Sequence, residues 1–221
     1  FSCIITFGFA QVKTRNYIVD PLTAPRERNV DFTNMKLDVS FDTKEGIVKG
    51  KVTHDFIPLR QKVDSIFLDG IKMKVEKIVL NGKDAKYRLD SAGITVFANP
   101  ALAWETKNSM TITYQCTPRK GLYFVGWNDP NNISRKQIWS QGQGIDNRHW
   151  IPMYDEMNDR IISEVIVTFD KDYQVLSNGA KVVEKLNSEG TKTWHYKMSH
   201  SHAPYLVMLG IGTVSYTHLR A

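Results

Sequence analysis

Along most of this chain, hydrophobic residues recur at every second position. Met35, Leu37, Val39 and Phe41 fall on one face of an extended segment, with Lys36, Asp38 and Ser40 on the other. A period of two belongs to a β-strand, whose successive side chains point to opposite sides of the sheet. Val48, Val52 and Phe56 repeat the pattern, with Gly50 and His54 on the same face. The alternation predicts further strands at 65–68, 94–98, 110–116, 122–127, 137–141, 163–169, 174–177, 180–186, 193–198 and 205–214. Asn81-Gly82, between KVEKIVL and KDAKYRL, predicts a tight hairpin, since both residue types tolerate positive φ. NSEG at 187–190 predicts a second turn of this kind. No window of about a dozen residues carries a helical apolar stripe, and 155–159 is at most one helical turn. Strands with a single apolar face must bury it against another sheet, so the expected architecture is one all-β domain, a multi-sheet β-sandwich.

The two ends depart from this pattern. FSCIITFGFA, residues 1–10, has no charge and ends in small residues, as the apolar core and cleavage end of a secretory signal peptide do. The run is too short to span a membrane, and Cys3 precedes the apolar stretch rather than following it. The expectation is a signal remnant at 1–10, a domain at 11–214, and a secreted or periplasmic location, with cell-surface association as a variant. SYTHLRA, residues 215–221, matches nothing before it and reads as a non-native tail. On this reading the chain is a fragment at both ends.

Composition then removes several classes of function. A hydrophobic content of 42% with 24% charged residues is that of a folded globular protein. The net charge of +6 comes from lysines interspersed with acids, as in KEGIVKGK and KMKVEK, so no nucleic-acid partner is expected. Once Cys3 is set aside with the leader, Cys116 stands alone and no disulfide framework is possible. Cys116 continues the alternation Met110, Ile112, Tyr114, which makes it a small core hydrophobe rather than a nucleophile. His195, His200 and His202 are the tightest histidine group, but no cysteine or obvious carboxylate joins them, and an exposed polar turn is the better reading. There is no HExxH, no GxSxG and no phosphate-binding glycine loop. Neither a catalytic residue nor a metal site is assigned to this chain.

The densest chemistry lies in WSQGQGIDNRHWIPMYD, residues 139–155. Gln141 and Gln143 project from a strand end, with glycines beside them giving close access to the backbone. A side-chain amide can accept hydrogen bonds from an ammonium group through its oxygen and donate through its nitrogen. Two readings stand: the pair recognises a peptide N-terminus, or it satisfies backbone groups at the strand end.

This segment resembles the signature of the N-terminal domain in the aminopeptidase N family of zinc metallopeptidases. In that family a Thr-Gln-x-Glu or Thr-Gln-x-Gln strand end leads into an Arg-containing loop, Pro-x-x-Asp, and another strand. The matching elements here are Ser140-Gln141-Gly142-Gln143, Arg148, Pro152, Asp155 and the strand at 163–169. KGLYF at 120–124, VLSNG at 175–179 and PYL at 204–206 support the match, which covers about residues 30–214. The resemblance implies a saddle-like β domain capping a separate catalytic domain. The residue matching Gln143 would bind the free α-amino group of a peptide substrate. Zinc, with its HExxH ligands and distal glutamate, would lie outside this chain. Ser140 replaces the commoner Thr, Gln143 the commoner Glu, and Met153-Tyr154 a frequent Cys-Trp. A neutral amide at 143 lacks the charge-assisted bond that a carboxylate would make to an ammonium. Arg148 and Asp155 are expected to pair and fix the loop. Trp139, Trp150 and Tyr154 are expected to pack at a domain interface. Two other readings are a catalytically inactive relative serving as an interaction scaffold, and a β-sandwich binding peptide or carbohydrate through exposed aromatics.

Overall fold

The computed structural model of the protein describes residues 26–213. The apolar segment at 1–10 and the tail at 215–221 lie outside the described residues, as do the outer limits of the expected domain.

Fifteen strands form three sheets among the described residues. The largest has eight strands in the order β13 (Ala180–Leu186), β14 (Thr191–His202), β11 (Ile161–Asp170), β1 (Val30–Asp42), β2 (Ile47–Pro58), β8 (Asn108–Cys116), β4 (Lys74–Leu80) and β5 (Lys83–Asp84). Every neighbouring pair is antiparallel except β1 and β11, which run parallel. A four-stranded sheet runs β12 (Gln174–Ser177), β15 (Leu209–Gly212), β10 (Gln137–Ser140) and β9 (Leu122–Val125). The third sheet is β3 (Lys62–Asp69), β7 (Gly93–Ala103) and β6 (Tyr87–Leu89).

The alternation read from the sequence is the alternation of burial. β8 alternates buried and half-buried positions along its whole length, and β11 does so up to its last residue. The inward residues of the three sheets make one core, in which Met35, Leu37, Val52, Ile66, Leu68, Ile112, Ile138 and Leu209 are buried. Each such side chain contributes roughly 1.5–3 kcal/mol by leaving water. The Asn81-Gly82 turn joins β4 to β5 with φ of 50° and 80°, as a two-residue hairpin requires. Gly50 pairs across the ladder with Tyr114, and a Cβ there would lie 2.5 Å from the tyrosine ring. The missing side chain makes room for that buried ring.

Two local expectations are corrected. Residues 205–214 are not one strand: Pro204–Leu206 forms a 3-10 turn, and β15 spans only Leu209–Gly212. Pro204 cannot donate a ladder hydrogen bond, and the turn instead closes through Val207 N–H on the Pro204 carbonyl. The turn of helix expected at 155–159 is absent, and the 3-10 turn lies at Asn147–His149. Asp155 and Asp159 are buried there as acceptors, which holds their backbone open.

Candidate functional site

β10 ends at Ser140, and the chain enters a loop that runs over the end of the four-stranded sheet. Gln141 keeps one backbone bond to the neighbouring strand connection, its N–H donating to the Gly121 carbonyl at 2.9 Å. Both Gln141 and Gln143 are exposed, whereas Gly142 between them is buried. Among the described residues neither glutamine side chain has a hydrogen-bond partner. Their amides face solvent rather than satisfying backbone groups at the strand end.

From Asn147 to Asp155 the loop is held by buried hydrogen bonds, whereas Gly144 and Ile145 are exposed. Asn147 is fully buried, and its amide nitrogen donates to the carbonyls of Pro204 (3.0 Å) and Val207 (3.3 Å). Its amide oxygen accepts from the Trp150 indole at 3.0 Å. Tyr114 passes its hydroxyl from the large sheet to the Trp150 carbonyl at 2.8 Å. His54, also from the large sheet, bonds the Pro152 carbonyl through Nε2 at 2.7 Å. A carbonyl only accepts, so Nε2 carries the proton. Burial lowers the His54 pKa to about 4, and the ring stays neutral near neutral pH.

Arg148 and Asp155 meet, with a third residue between them. The Arg148 backbone N–H donates to Asp155 Oδ2 at 2.9 Å, and its guanidinium Nε lies 3.5 Å from the same oxygen. Arg148 also donates to the Asp155 carbonyl at 2.7 Å and stands 3.1 Å from Asp69 Oδ1. Asp69 is buried at the end of β3, where Arg26 grips both its oxygens at 3.0 and 2.6 Å. The same carboxylate accepts the Asp155 backbone N–H at 3.0 Å, and the Asp69 backbone pairs with Met153. Two guanidinium groups and one backbone amide thus converge on Asp69. Burial pushes the Asp155 carboxyl up to about 6, against the lowering by Arg148, and the nearby Asp69 charge adds to the rise.

Trp150 and Tyr154 do not face outward as interface aromatics. Trp150 is completely buried in this domain's own core, and the Tyr154 hydroxyl lies 2.9 Å from the Arg26 carbonyl and 3.0 Å from the Asn158 amide oxygen, with one proton to donate between them. Trp139 differs, being 40% exposed and packed on the Tyr123 ring at 4.7 Å between centroids.

The histidine group separates. His195 bonds Glu164 at 3.0 Å, His202 is buried against the Ser163 hydroxyl at 2.8 Å, and His200 is exposed. His195 lies an odd number of residues from the other two and so on the opposite face, and a bulge parts those two: His202 pairs with Ile161 but Met198 with Ser163, so four residues of β14 span two of β11. Among the described residues no group of three or more His, Cys, Asp or Glu could hold a metal ion. The described residues therefore do not fit a zinc site. Cys116 is buried, and its thiol is pushed up to about 12 by burial.

Three supports of this loop, Asp69, Tyr114 and His54, fall outside the segment that marks the glutamines, and Asn147 lies inside it without being one of the matched residues. His54 carries a signal of its own, a polar residue on the apolar face of its strand. Asp69, a carboxylate directly before Gly70 at a strand end, carries a weaker one, and Asn147 carries none.

This fold and loop have known counterparts. Residues 31–206 match the Peptidase M1 N-terminal domain. The chain belongs to this family. A leucyl aminopeptidase of Saccharolobus solfataricus is 26% identical over 178 residues, covering 80% of this chain and 21% of that protein. Leucine aminopeptidase 2 of Vanderwaltozyma polyspora is 22% identical over 189 residues, covering 83% of this chain and 28% of that protein. The M1 chain therefore spans about a quarter of the length of these relatives. Among solved structures, the M1 zinc metallopeptidase of Deinococcus radiodurans superposes with a TM-score of 0.73 at 18% identity, covering 86% of this chain and 43% of that one. A mutant of that protein bound to a Tyr-Ser-Ala substrate gives a TM-score of 0.73 at 19% identity, covering 85% of this chain and 43% of that one. At these identities the superpositions show a shared M1 N-terminal fold.

Proposed function

We propose that this chain is the substrate-anchoring N-terminal part of a zinc-dependent aminopeptidase that removes N-terminal residues from peptides. The observation that carries the reading is the exposed Gln141–Gln143 pair, without side-chain hydrogen-bond partners among the described residues, on a loop held by buried bonds from Asn147 onward. Such a pair offers free acceptors with no internal bond to break before a ligand binds. Gln143 accepts from the substrate's α-ammonium group, and Gln141 orients the adjoining backbone. Arg148 and Asp155, with Asp69, structure the loop beneath and touch no substrate. Zinc and the general base belong to the portion of the relatives' length that this chain does not span.

The partner in this reading is that remaining portion, docked on the open face of the four-stranded sheet. Tyr123, Trp139, Gly210 and Leu176 fall in one row across its four strands. Leu176 is 59% exposed, and no atom lies within 4 Å of where a Gly210 Cβ would stand. The row leads along β10 into Gln141, so a domain seated there would face the glutamines. The apolar segment at 1–10 supports secretion or a periplasmic location, and N-terminal sequencing of the mature protein tests that.

The functional test is Gln143→Ala in the full-length enzyme, assayed on an aminoacyl substrate with a free amine. The expected result is a KM raised by roughly tenfold with kcat little changed, as loss of uniform binding requires. An unchanged KM would remove Gln143 from the site.

A further inference from the structure

We propose that Asn147 is the positioning residue of the anchoring loop. Its buried amide fixes Gly142, and through it the two flanking glutamines, against the turn that precedes β15. The role assigned to Gln143 rests on the reading above, but the clamp itself rests on geometry.

Asn147 uses its whole amide inside the protein: two donated bonds reach the Pro204 and Val207 carbonyls, and one accepted bond comes from Trp150. Its backbone carbonyl also receives the N–H groups of Trp150 and Ile151. The residue therefore joins two segments distant in sequence, the 139–155 loop and the Pro204–Leu206 turn. Gly142 lies directly on this junction. A Cβ at 142 would sit 2.3 Å from Asn147 Nδ2 and 2.6 Å from the Tyr205 carbonyl oxygen. Only a residue without a side chain lets the strand end descend onto the Asn147 amide. Gly144, on the far side of Gln143, has a φ of +82° and open space within 4 Å of where a Cβ would stand.

Gln143 thus sits between a clamped residue and an open, glycine-permitted turn. Gln141 is held by Gly121, and the buried side-chain amide beneath the pair is that of Asn147. An anchoring contact a fraction of an ångström out of place loses much of its strength, because hydrogen bonds weaken steeply with geometry. The Asn147 amide acts on substrate only through the loop; it touches no substrate atom.

The test uses the full-length enzyme and two readouts. Asn147→Ala is expected to raise KM for a free-amine aminoacyl arylamide by about fivefold while kcat stays near wild type. In the Gln143→Ala background the same change is expected to add no further rise, the non-additivity of two residues acting through one contact. Hydrogen exchange over residues 141–146 is expected to accelerate in Asn147→Ala. If KM rises for Gln143→Ala but is unaffected by Asn147→Ala, or the two effects multiply, the positioning role is overturned. If Gln143→Ala is silent while exchange accelerates, the clamp stands and the anchoring reading falls. Unchanged exchange overturns the clamp directly. Should Asn147→Ala fail to fold, Gly142→Ala attacks the same junction from the other side, and the same changes in KM and exchange support or overturn the clamp.

Discussion

The Asp69 carboxylate stands 3.1 Å from the Arg148 guanidinium, tying the last residue of β3 to the loop that bears Gln141 and Gln143. Arg26 holds the same carboxylate from the other side, and its guanidinium lies 4.7 Å from the centre of the Tyr154 ring. The three-stranded sheet is thereby joined to the candidate site by charge as well as by packing. Asp69 is the carboxylate at the shortest distance from both cations, with Glu156 3.8 Å from Arg26 and 3.6 Å from Arg148.

Asp69→Asn keeps the shape of that joint and removes its charge. Arg26 would then keep Glu156 as its charged neighbour, and Arg148 would keep Asp155 and Glu156, both at longer distances than Asp69. Breaking such a buried pair costs about 3 kcal/mol or more. For a domain of this size that corresponds to a melting temperature lower by roughly 10 °C. Thermal denaturation followed by circular dichroism checks it, and a shift of only a degree or two would mean that Asp69 is dispensable.

His54 gives the fold a defined acid sensitivity. Its pKa is lowered in the folded state to about 4, below the ordinary 6.5, because burial disfavours the imidazolium. Between those values the unfolded chain binds the proton more readily, so stability falls as pH drops from about 6.5 through 4. The loss is on the order of 3 kcal/mol. Denaturant titrations at pH 7 and pH 4.5 measure it, and His54→Gln is expected to flatten this part of the profile.

Asp155 works in the opposite sense over much of the same range. Burial raises its folded pKa to about 6 from 3.8, so the folded state binds the proton more tightly than the unfolded chain. Its contribution is complete below about 4 and is lost as pH rises through 6. Asp155→Asn removes this opposing effect. Relative to wild type, the variant is expected to gain stability between pH 4 and 6, by on the order of 3 kcal/mol at most. A constant difference across that range would mean that the carboxylate keeps its ordinary pKa in the folded protein.

Cys116 is expected to be inert while the protein is folded. Buried and with its thiol pushed up to about 12, it presents almost no thiolate at pH 8. Alkylation followed by mass spectrometry should label it only after denaturant is added. Rapid labelling of the native chain would place it at an accessible surface.

Much of the fold is legible in the sequence because two-residue periodicity reports burial directly. The alternation of Met110, Ile112, Tyr114 and Cys116 locates β8, and the Asn81-Gly82 pair locates the turn between β4 and β5. Where backbone chemistry overrides the pattern, periodicity misleads: apolar Pro204–Leu206 looks like strand, yet forms a 3-10 turn. The glutamines are visible as a motif, but their exposure is not. Their support is hidden for a different reason. Asn147 finds its acceptors beyond position 200, and Asp69 finds its cations at positions 26 and 148, contacts that only the assembled sheets create. Local spacing carries no trace of such pairs.

Whether Gln143 receives the α-ammonium group of a peptide is decided by Gln143→Glu in the full-length enzyme. A carboxylate at that position adds a charge-assisted bond to the ammonium. KM for a free-amine substrate is expected to fall by roughly tenfold, while binding of the same compound with its amine acetylated does not improve. Equal effects on both compounds, or none on either, would mean that Gln143 does not meet the amine.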